Sequence, residues 1–323
     1  MIKYLYVLVS NEADYYLEQL LMSITSLRIH TPDAFVSLLI DDTTEEGLKD
    51  KRKNILNLVN ELKSIKIDSR FNKKARSRWL KTSMRKHIEG DFLFIDCDTI
   101  ISEDLSDIEN LNMDLGAALD GHAPWQDLHA KDNNQNVDKM LGFSASFTSD
   151  KCFNSGVIFC RDISICHKFF DEWHGLWLYC FEKGVLIDQP SFNQVILLMG
   201  NSVIELDGKW NCQILAIGML KYLHIAKIIH YFSSIQKKKH PYLLANQDVF
   251  EKVKKTIVIN QEIKNMLMNP RYLFFSRSYW VVKDKFDYSV TYIVARKIFN
   301  SRFGSCIELL ASYVGKSLHK LLH

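Results

Sequence analysis

Short apolar runs alternate with amphipathic stretches over the first hundred residues. Tyr4–Val9 is a β-rich apolar run and predicts a buried strand. From Asp14 to Leu27, apolar residues recur at Leu17, Leu20, Leu21, Ile24 and Leu27, a helical stripe that Thr31-Pro32-Asp33 stops. Phe35–Ile40 predicts a second strand ending at Asp41-Asp42, and Thr43–Glu46 can cap a helix running to about Ser64. A short strand at Ile65–Ile67, a basic helix over Ser77–Ile88 and a strand at Asp91–Ile95 follow, the last ending in Asp96-Cys97-Asp98. Repeats of this length predict an α/β layer with helices on both faces. Ligands in such layers sit beyond the carboxyl ends of the strands, where Ser10-Asn11, Asp41-Asp42 and Asp96–Asp98 all fall.

The later pattern is different. Leu115–Asp120 predicts another strand, followed by a polar loop over Gly121–Asn136. A strand closes at Ile158–Cys160, an aromatic-rich helix spans Ile165–Lys183, and Ser233–Lys239 is a loop with three consecutive lysines. Near the C-terminus Phe303, Ile307, Leu310, Val314, Leu318 and Leu321 form an amphipathic stripe, with Arg302, Lys316 and Lys320 off it. The opening MIKYLYVLVSNE has one Lys, a short apolar run and no small-residue cleavage site, so it reads as a first strand rather than a secretory leader. No apolar run is long enough to predict a transmembrane helix.

Composition adds one correction to this picture. Hydrophobic residues make up 47% of the 323, enough for a sizeable core, and only 13 Gly and 5 Pro exclude a collagen-like or low-complexity chain. The net charge of +3 hides a division: from Lys237 onward there are 16 Lys and Arg against 6 Asp and Glu, which leaves the preceding residues at −7. The predicted organisation is therefore a domain over residues 1–245 and a basic helical extension over 246–323. Seven cysteines without a CxxC pair argue against a disulfide framework or a zinc site and for a reducing compartment.

The chemistry concentrates in FLFIDCDTII. A buried strand delivers Asp96 and Asp98 with one residue between them, so alternation puts both carboxylates on one side. Two hard oxygen ligands there suit Mg²⁺ or Mn²⁺ bridging a diphosphate; the plainer reading is a solvated strand end, where Asp is a good turn residue. Two enzyme classes use such a pair. The segment resembles the DxDxT box of haloacid-dehalogenase phosphatases, in which Asp96 would be a nucleophile and Asp98 a general acid. That group needs a later GDxxxD-type acidic motif, which the chain lacks, and its box lies near a domain start.

The second class is answered by the downstream sequence. FIDCDT, FNSG at 153–156, DQPSFN at 188–193 and IIHYF at 228–232, in this order, resemble glycosyltransferase family 8, the glycogenin and bacterial lipopolysaccharide glycosyltransferase group. The resemblance spans roughly residues 1–240. It implies a GT-A-type, Rossmann-like mixed sheet flanked by helices, with a helical C-terminal extension. It implies a hexosyltransferase that takes a sugar from a nucleotide diphosphate donor, UDP most readily, with retention of configuration and a glycan or glycolipid acceptor. It also implies a metal site of Asp96, Asp98 and His230 holding Mn²⁺ or Mg²⁺. Asn154 and Gly156 would lie near the donor sugar, and Asp188 and Gln189 would face it beside the anomeric carbon. Ser10, Asn11, Arg78, Lys81 and Cys97 complete the expected nucleotide-sugar contacts. One departure is plain: where the family continues His-x-x-Gly-x-x-Lys-Pro-Trp, this chain has HYFSSIQKKKHPYL, with Ser233 and Gln236 in place of the Gly and Lys.

The tail suggests anionic membrane-surface contact through a basic amphipathic helix; the alternative is a helix docked on the domain or on a partner. A cytoplasmic enzyme, peripheral on the inner membrane face and serving lipopolysaccharide or polysaccharide synthesis in a bacterium, fits this pattern. Nucleic-acid binding is disfavoured by the acidic body. A non-catalytic membrane-surface glycan-binding protein is the remaining alternative.

Overall fold

A computed structural model describes residues 2–128, 131–214, 219–232, 243–274 and 306. The chain divides into two compact units, Met1–Leu273 and Phe274–His323. In the second, only Phe274 and Cys306 are described; the lysine-rich loop 233–239 of the first unit and the amphipathic stripe lie outside the described residues.

In chain order the first unit forms β1 (Lys3–Leu8), α1 (Tyr16–His30), β2 (Phe35–Asp41), α2 (Asp42–Gly47), β3 (Glu61–Ile65), α3 (Lys73–Ser83), β4 (Phe92–Ile95), β5 (Thr99–Ile101) and β6 (Leu115–Leu119). It continues through α4 (Lys131–Leu141), α5 (Ala145–Thr148), β7 (Phe153–Cys160), α6 (Ser164–Glu182), α7 (Gln189–Leu198), β8 (Ile204–Leu206), β9 (Cys212–Gln213), α8 (Met219–Leu223), β10 (Ile228–His230), α9 (Gln247–Thr256) and α10 (Gln261–Met268). Seven strands form one sheet in the order β3-β2-β1-β4-β7-β6-β8; β5, β10 and β9 form a second. Strands β1 to β4 of the main sheet pair in parallel, and β7 enters antiparallel between β4 and β6. The sheet is thus mixed, as the family resemblance implies.

The apolar runs explain this order. All eight residues of β7, FNSGVIFC, are buried, as are the four of β4, FLFI. The edge strand β3, ELKSI, is only half-buried and lacks an apolar run. Helix α6 seals one face with Phe169, Phe170, Trp173 and Trp177; the first three meet one another at tilted and edge-on angles, and Phe169 and Trp173 also meet Phe192 of α7, while Trp177 meets Phe71. Aromatic truncation in such a core costs roughly 3–5 kcal/mol.

Three predicted elements differ. The helix expected over Thr43–Ser64 breaks at Gly47 into α2, a 3₁₀ segment at Asp50–Leu58 and β3, with Asp50 at φ +47°. The strand expected at Ile65–Ile67 ends instead at Ile65, because pairing with β2 from Glu61 to Ile65 sets its register. The loop expected over Gly121–Asn136 contains short 3₁₀ turns and the start of α4. That helix is held by a few contacts rather than by an apolar stripe: Asp138 is buried and accepts a hydrogen bond from Ser146 N at 2.9 Å.

Helices α9 and α10, although beyond residue 245, belong to the first unit. The Leu267 carbonyl of α10 meets His30 Nε2 of α1 at 3.0 Å. Among the described residues, no helix is long and apolar enough to cross a membrane.

Buried histidine gives the fold an acid limit. His174 on α6 is 8% exposed, its Nδ1 is 2.8 Å from Thr82 Oγ1, and it meets Trp79 edge-on. Burial, helped by the positive charge of Lys86, pushes it down from 6.5 to about 4. Between these values the unfolded chain binds a proton that the folded chain does not, so stability falls as pH drops through that window, by on the order of 3 kcal/mol. Urea unfolding of His174→Gln at a series of pH values should show a shallower decline from pH 6.5 to 4; a slope equal to the wild type would contradict this role.

Candidate active site

Two pairings bring the predicted residues together. Register between β4 and β7 sets Ile95 opposite Val157, and the next rung is a hydrogen bond from Asp96 N–H to the Gly156 carbonyl at 2.8 Å. Asp96-Cys97-Asp98 is then the corner where the chain leaves the main sheet and enters β5 of the second. There Thr99 pairs with His230 of β10, and Tyr231 N–H donates to the Asp98 carbonyl at 3.1 Å. The second sheet thereby carries His230 back to the carboxylates: one ligand atom each from Asp96, Asp98 and His230 lie within 4.8 Å of one another.

The alternation of the corner is visible in Cys97. Its thiol points away, donating to the Val7 carbonyl at 3.3 Å, and burial pushes it well above the usual thiol range. It is therefore neither a thiolate ligand nor a nucleophile.

The imidazole is oriented by a chain of hydrogen bonds that fixes its tautomer. Gly156 N–H donates to Asn154 Oδ1 at 2.9 Å, which identifies that atom as the oxygen. Asn211 Nδ2 donates to the same oxygen at 2.9 Å, so Asn211 Oδ1 must face His230 Nδ1, 3.0 Å away. Nδ1 then carries a hydrogen, and Nε2 faces Asp98 Oδ1 at 3.3 Å. This is the arrangement a metal-binding histidine needs. Gly156 has no room for a side chain: a Cβ there would run into the His230 ring.

Two carboxylates and an imidazole nitrogen fit a divalent cation. Burial raises the Asp96 carboxyl above its usual range and the Asp98 charge adds to that, against the pull of Lys81. A bound dication would relieve this.

On the other side of the same cavity, α7 begins with Asp188 and Gln189. Arg78 Nε lies 2.9 Å from Asp188 Oδ1; Lys81 Nζ lies 3.2 Å from Asp188 Oδ2 and 3.1 Å from Asp96 Oδ2. Ser155 Oγ donates to Asp188 Oδ2 at 2.7 Å. Burial alone would raise the Asp188 carboxyl, but Lys81, Arg78 and this hydroxyl hold it well below the usual carboxylate range. It is ionised at neutral pH. Gln189 is anchored by its amide to the Phe153 carbonyl and Ser155 N–H. The cavity between these groups is about 400 Å³, and Tyr16, Lys73 and Phe232 also line it.

Not every expected residue reaches it. Ser10 is 4% exposed and is held between Asp14 Oδ1 (2.8 Å) and Arg52 Nη2 (3.0 Å); neither it nor Asn11 is on the cavity wall. Arg76 pairs with Asp41 at 2.6 Å, whereas Arg78 and Lys81, which share a helix face, turn into the cavity. Sequence reasoning overlooks Asn211, Ser155 and Asp120, the last accepting from Asn154 Nδ2 at 2.9 Å. Ser155 lies inside a quoted motif; nothing in the segment around Asn211 distinguishes it.

A mixed α/β sheet with an Asp-x-Asp corner and a returning histidine defines a GT-A glycosyltransferase architecture. The model of the family described as "Glycosyl transferase family 8" matches residues 7–239, and the chain belongs to that family. It is a glycosyltransferase, which sets aside the phosphatase and non-catalytic readings. The galactosyltransferase LgtC, solved with donor and acceptor sugar analogues, aligns with a TM-score of 0.51 at 13% identity, over 82% of this chain and 99% of LgtC. The bifunctional glycosyltransferase WbbM, solved without ligand, aligns with a TM-score of 0.53 at 14% identity, over 83% of this chain; this chain spans about half of it, 52%. These likenesses show the fold. No curated protein matches the sequence.

Asn211→Ala removes the acceptor that fixes the imidazole. Calorimetric titration with Mn²⁺ should show affinity weakened by roughly 10–100-fold with the fold retained; unchanged affinity would remove this role from Asn211.

Proposed function

We propose that the enzyme transfers a hexose from a nucleoside diphosphate sugar, UDP in the first instance, to a glycan or glycolipid acceptor, with Mn²⁺ or Mg²⁺ held by Asp96, Asp98 and His230. The observation that carries this is one cavity holding two charge systems: a carboxylate–imidazole cluster fit for a cation, and a buried carboxylate, Asp188, flanked by two cations. A bound divalent ion supplies Lewis acidity toward a diphosphate. Arg78 and Lys81 add fixed positive charge where the leaving diphosphate becomes more negative. Asp188, already ionised, is a poor base. It suits stabilisation of the cationic sugar face as the bond to the leaving group lengthens, with Gln189 beside it. Retention of configuration accords with this arrangement, in which Asp188 is held ionised by its two cations rather than poised to take a proton. Asn154 and Gly156 give the sugar a flat, side-chain-poor wall.

Lipopolysaccharide or other bacterial polysaccharide synthesis at the cytoplasmic face of the inner membrane supplies acceptors of this kind. The apolar stripe of residues 303–321, with Arg302, Lys316 and Lys320 beside it, would bring the enzyme there.

Two experiments test the reading. A donor-hydrolysis screen over UDP-, GDP- and ADP-sugars with Mn²⁺ should find one active donor, and Asp98→Asn should abolish the metal-dependent turnover; an Asp98→Asn enzyme that turns over at the wild-type rate with Mn²⁺ would sink the assignment. Flotation of the full chain with anionic vesicles should exceed that of a Lys316→Gln, Lys320→Gln variant, and equal flotation would dismiss the membrane contact.

A further inference from the structure

Helix α9 follows residue 245, where composition places the start of an extension, yet its side chains close on the loop between β1 and α1. Lys254 Nζ donates to the Asp14 carbonyl at 3.0 Å and also to the Glu12 carbonyl. The same ammonium sits 4.9 Å from the Tyr15 ring centroid. The Tyr15 hydroxyl donates to Glu251 Oε1 at 3.1 Å and accepts from Gln247 Nε2 at 3.0 Å, so three residues of α9 grip this loop. The loop's own turn, Asn11, Glu12 and Ala13, is exposed, so α9 is what ties it to the rest of the unit from this side.

The loop in turn sets part of the cavity wall. The Asp14 carboxylate accepts from Ser10 Oγ (2.8 Å), Asn11 N (2.9 Å), Tyr16 N (3.0 Å) and Lys73 Nζ (2.6 Å). Lys73 Nζ also lies 5.6 Å from the Tyr16 ring centroid, and both residues line the cavity. Asp14 is thus a hub, and its backbone carbonyl is what Lys254 holds. Moving that peptide would move Tyr16 and Lys73 together.

We propose that Lys254 is a positioning residue of the donor site: it fixes the Glu12–Asp14 backbone, and through Asp14 it holds Tyr16 and Lys73 where they face a nucleoside diphosphate. This rests on the donor reading above. Misplacement of contact groups by a fraction of an ångström to an ångström is enough to cost binding, while the Asp96–Asp98–His230 cluster, built on other strands, is untouched.

The test uses the full chain with Mn²⁺ alone and with UDP, GDP and ADP in the presence of Mn²⁺, by calorimetry. For whichever nucleoside diphosphate the wild type binds most tightly, Lys254→Met should weaken binding about tenfold, the loss of one charge-assisted anchor, and leave Mn²⁺ affinity unchanged. Lys254→Arg, which keeps a cation with several donors, should restore most of the affinity. If the Met variant is unstable, Lys254→Gln is read in the same way. Nucleotide affinity equal to the wild type in these variants, or a parallel loss of Mn²⁺ affinity, would overturn the inference and leave the donor reading standing. A wild-type chain that binds none of the three nucleotides would overturn the donor reading and this inference with it.

Discussion

The hydrogen bond from Asp96 N–H to the Gly156 carbonyl is where the two halves of the site meet, and it follows from a single topological fact. Strand β7 runs antiparallel to β4, so the start of β7 lies beside the end of β4. Asn154, Ser155 and Gly156 therefore arrive next to the acidic corner although some sixty residues separate them from it. Each then meets a different partner: Asn154 orients the imidazole through Asn211, Ser155 binds Asp188 and Gly156 gives the imidazole room. A side chain at 156 would displace His230; a slip of one residue in register would turn this whole set to the other face.

The second dependence is electrostatic. Lys81 is 3% exposed and lies between two carboxylates of different sequence origin, Asp96 and Asp188. Burying any one of these charges alone would be costly; buried together they are tolerated because each has a partner. Arg78 supplies the second cation to Asp188. The result is a carboxylate held ionised in a place where burial would otherwise protonate it. The same α3 face thus does two jobs, keeping Asp188 charged and placing positive charge beside the Asp96–Asp98–His230 cluster.

How much of this was legible depends on whether a residue's role was local. Asp96 and Asp98 stand out because two carboxylates end a strand that is otherwise apolar, and His230 because it ends a second apolar run. Asp188-Gln189-Pro190 reads as a helix start, which it is. Asn211 could not be read: it lies in a 3₁₀ turn whose sequence, GKWN, is ordinary, and its role exists only because β9 and β10 lie side by side. Helix α2 was overextended because Asp, Thr and Glu announce a helix start, while Gly47 and an edge strand without an apolar run conceal where it stops. The first half of α4 reads as loop because residues 131–136, KDNNQN, hold three asparagines and no apolar residue. Local chemistry announces strand ends and caps; partners brought by pairing leave no local mark.

The same distinction bears on the charge division of the chain. Counting from Lys237 gives a surplus of ten positive charges, but a count does not say which charges are free to meet a surface. Lys254 is spent on two backbone carbonyls and an aromatic ring, and Arg271 on Glu103 (2.7 Å) and the Ala226 carbonyl. These are internal fasteners of the first unit, not members of an electrostatic tail. Beyond residue 274 the chain still carries eight Lys and Arg against three Asp and Glu, and the amphipathic stripe lies wholly within that part. That part alone carries about half of the original surplus. The residues between 246 and 273 belong, by packing, with the domain that holds the site.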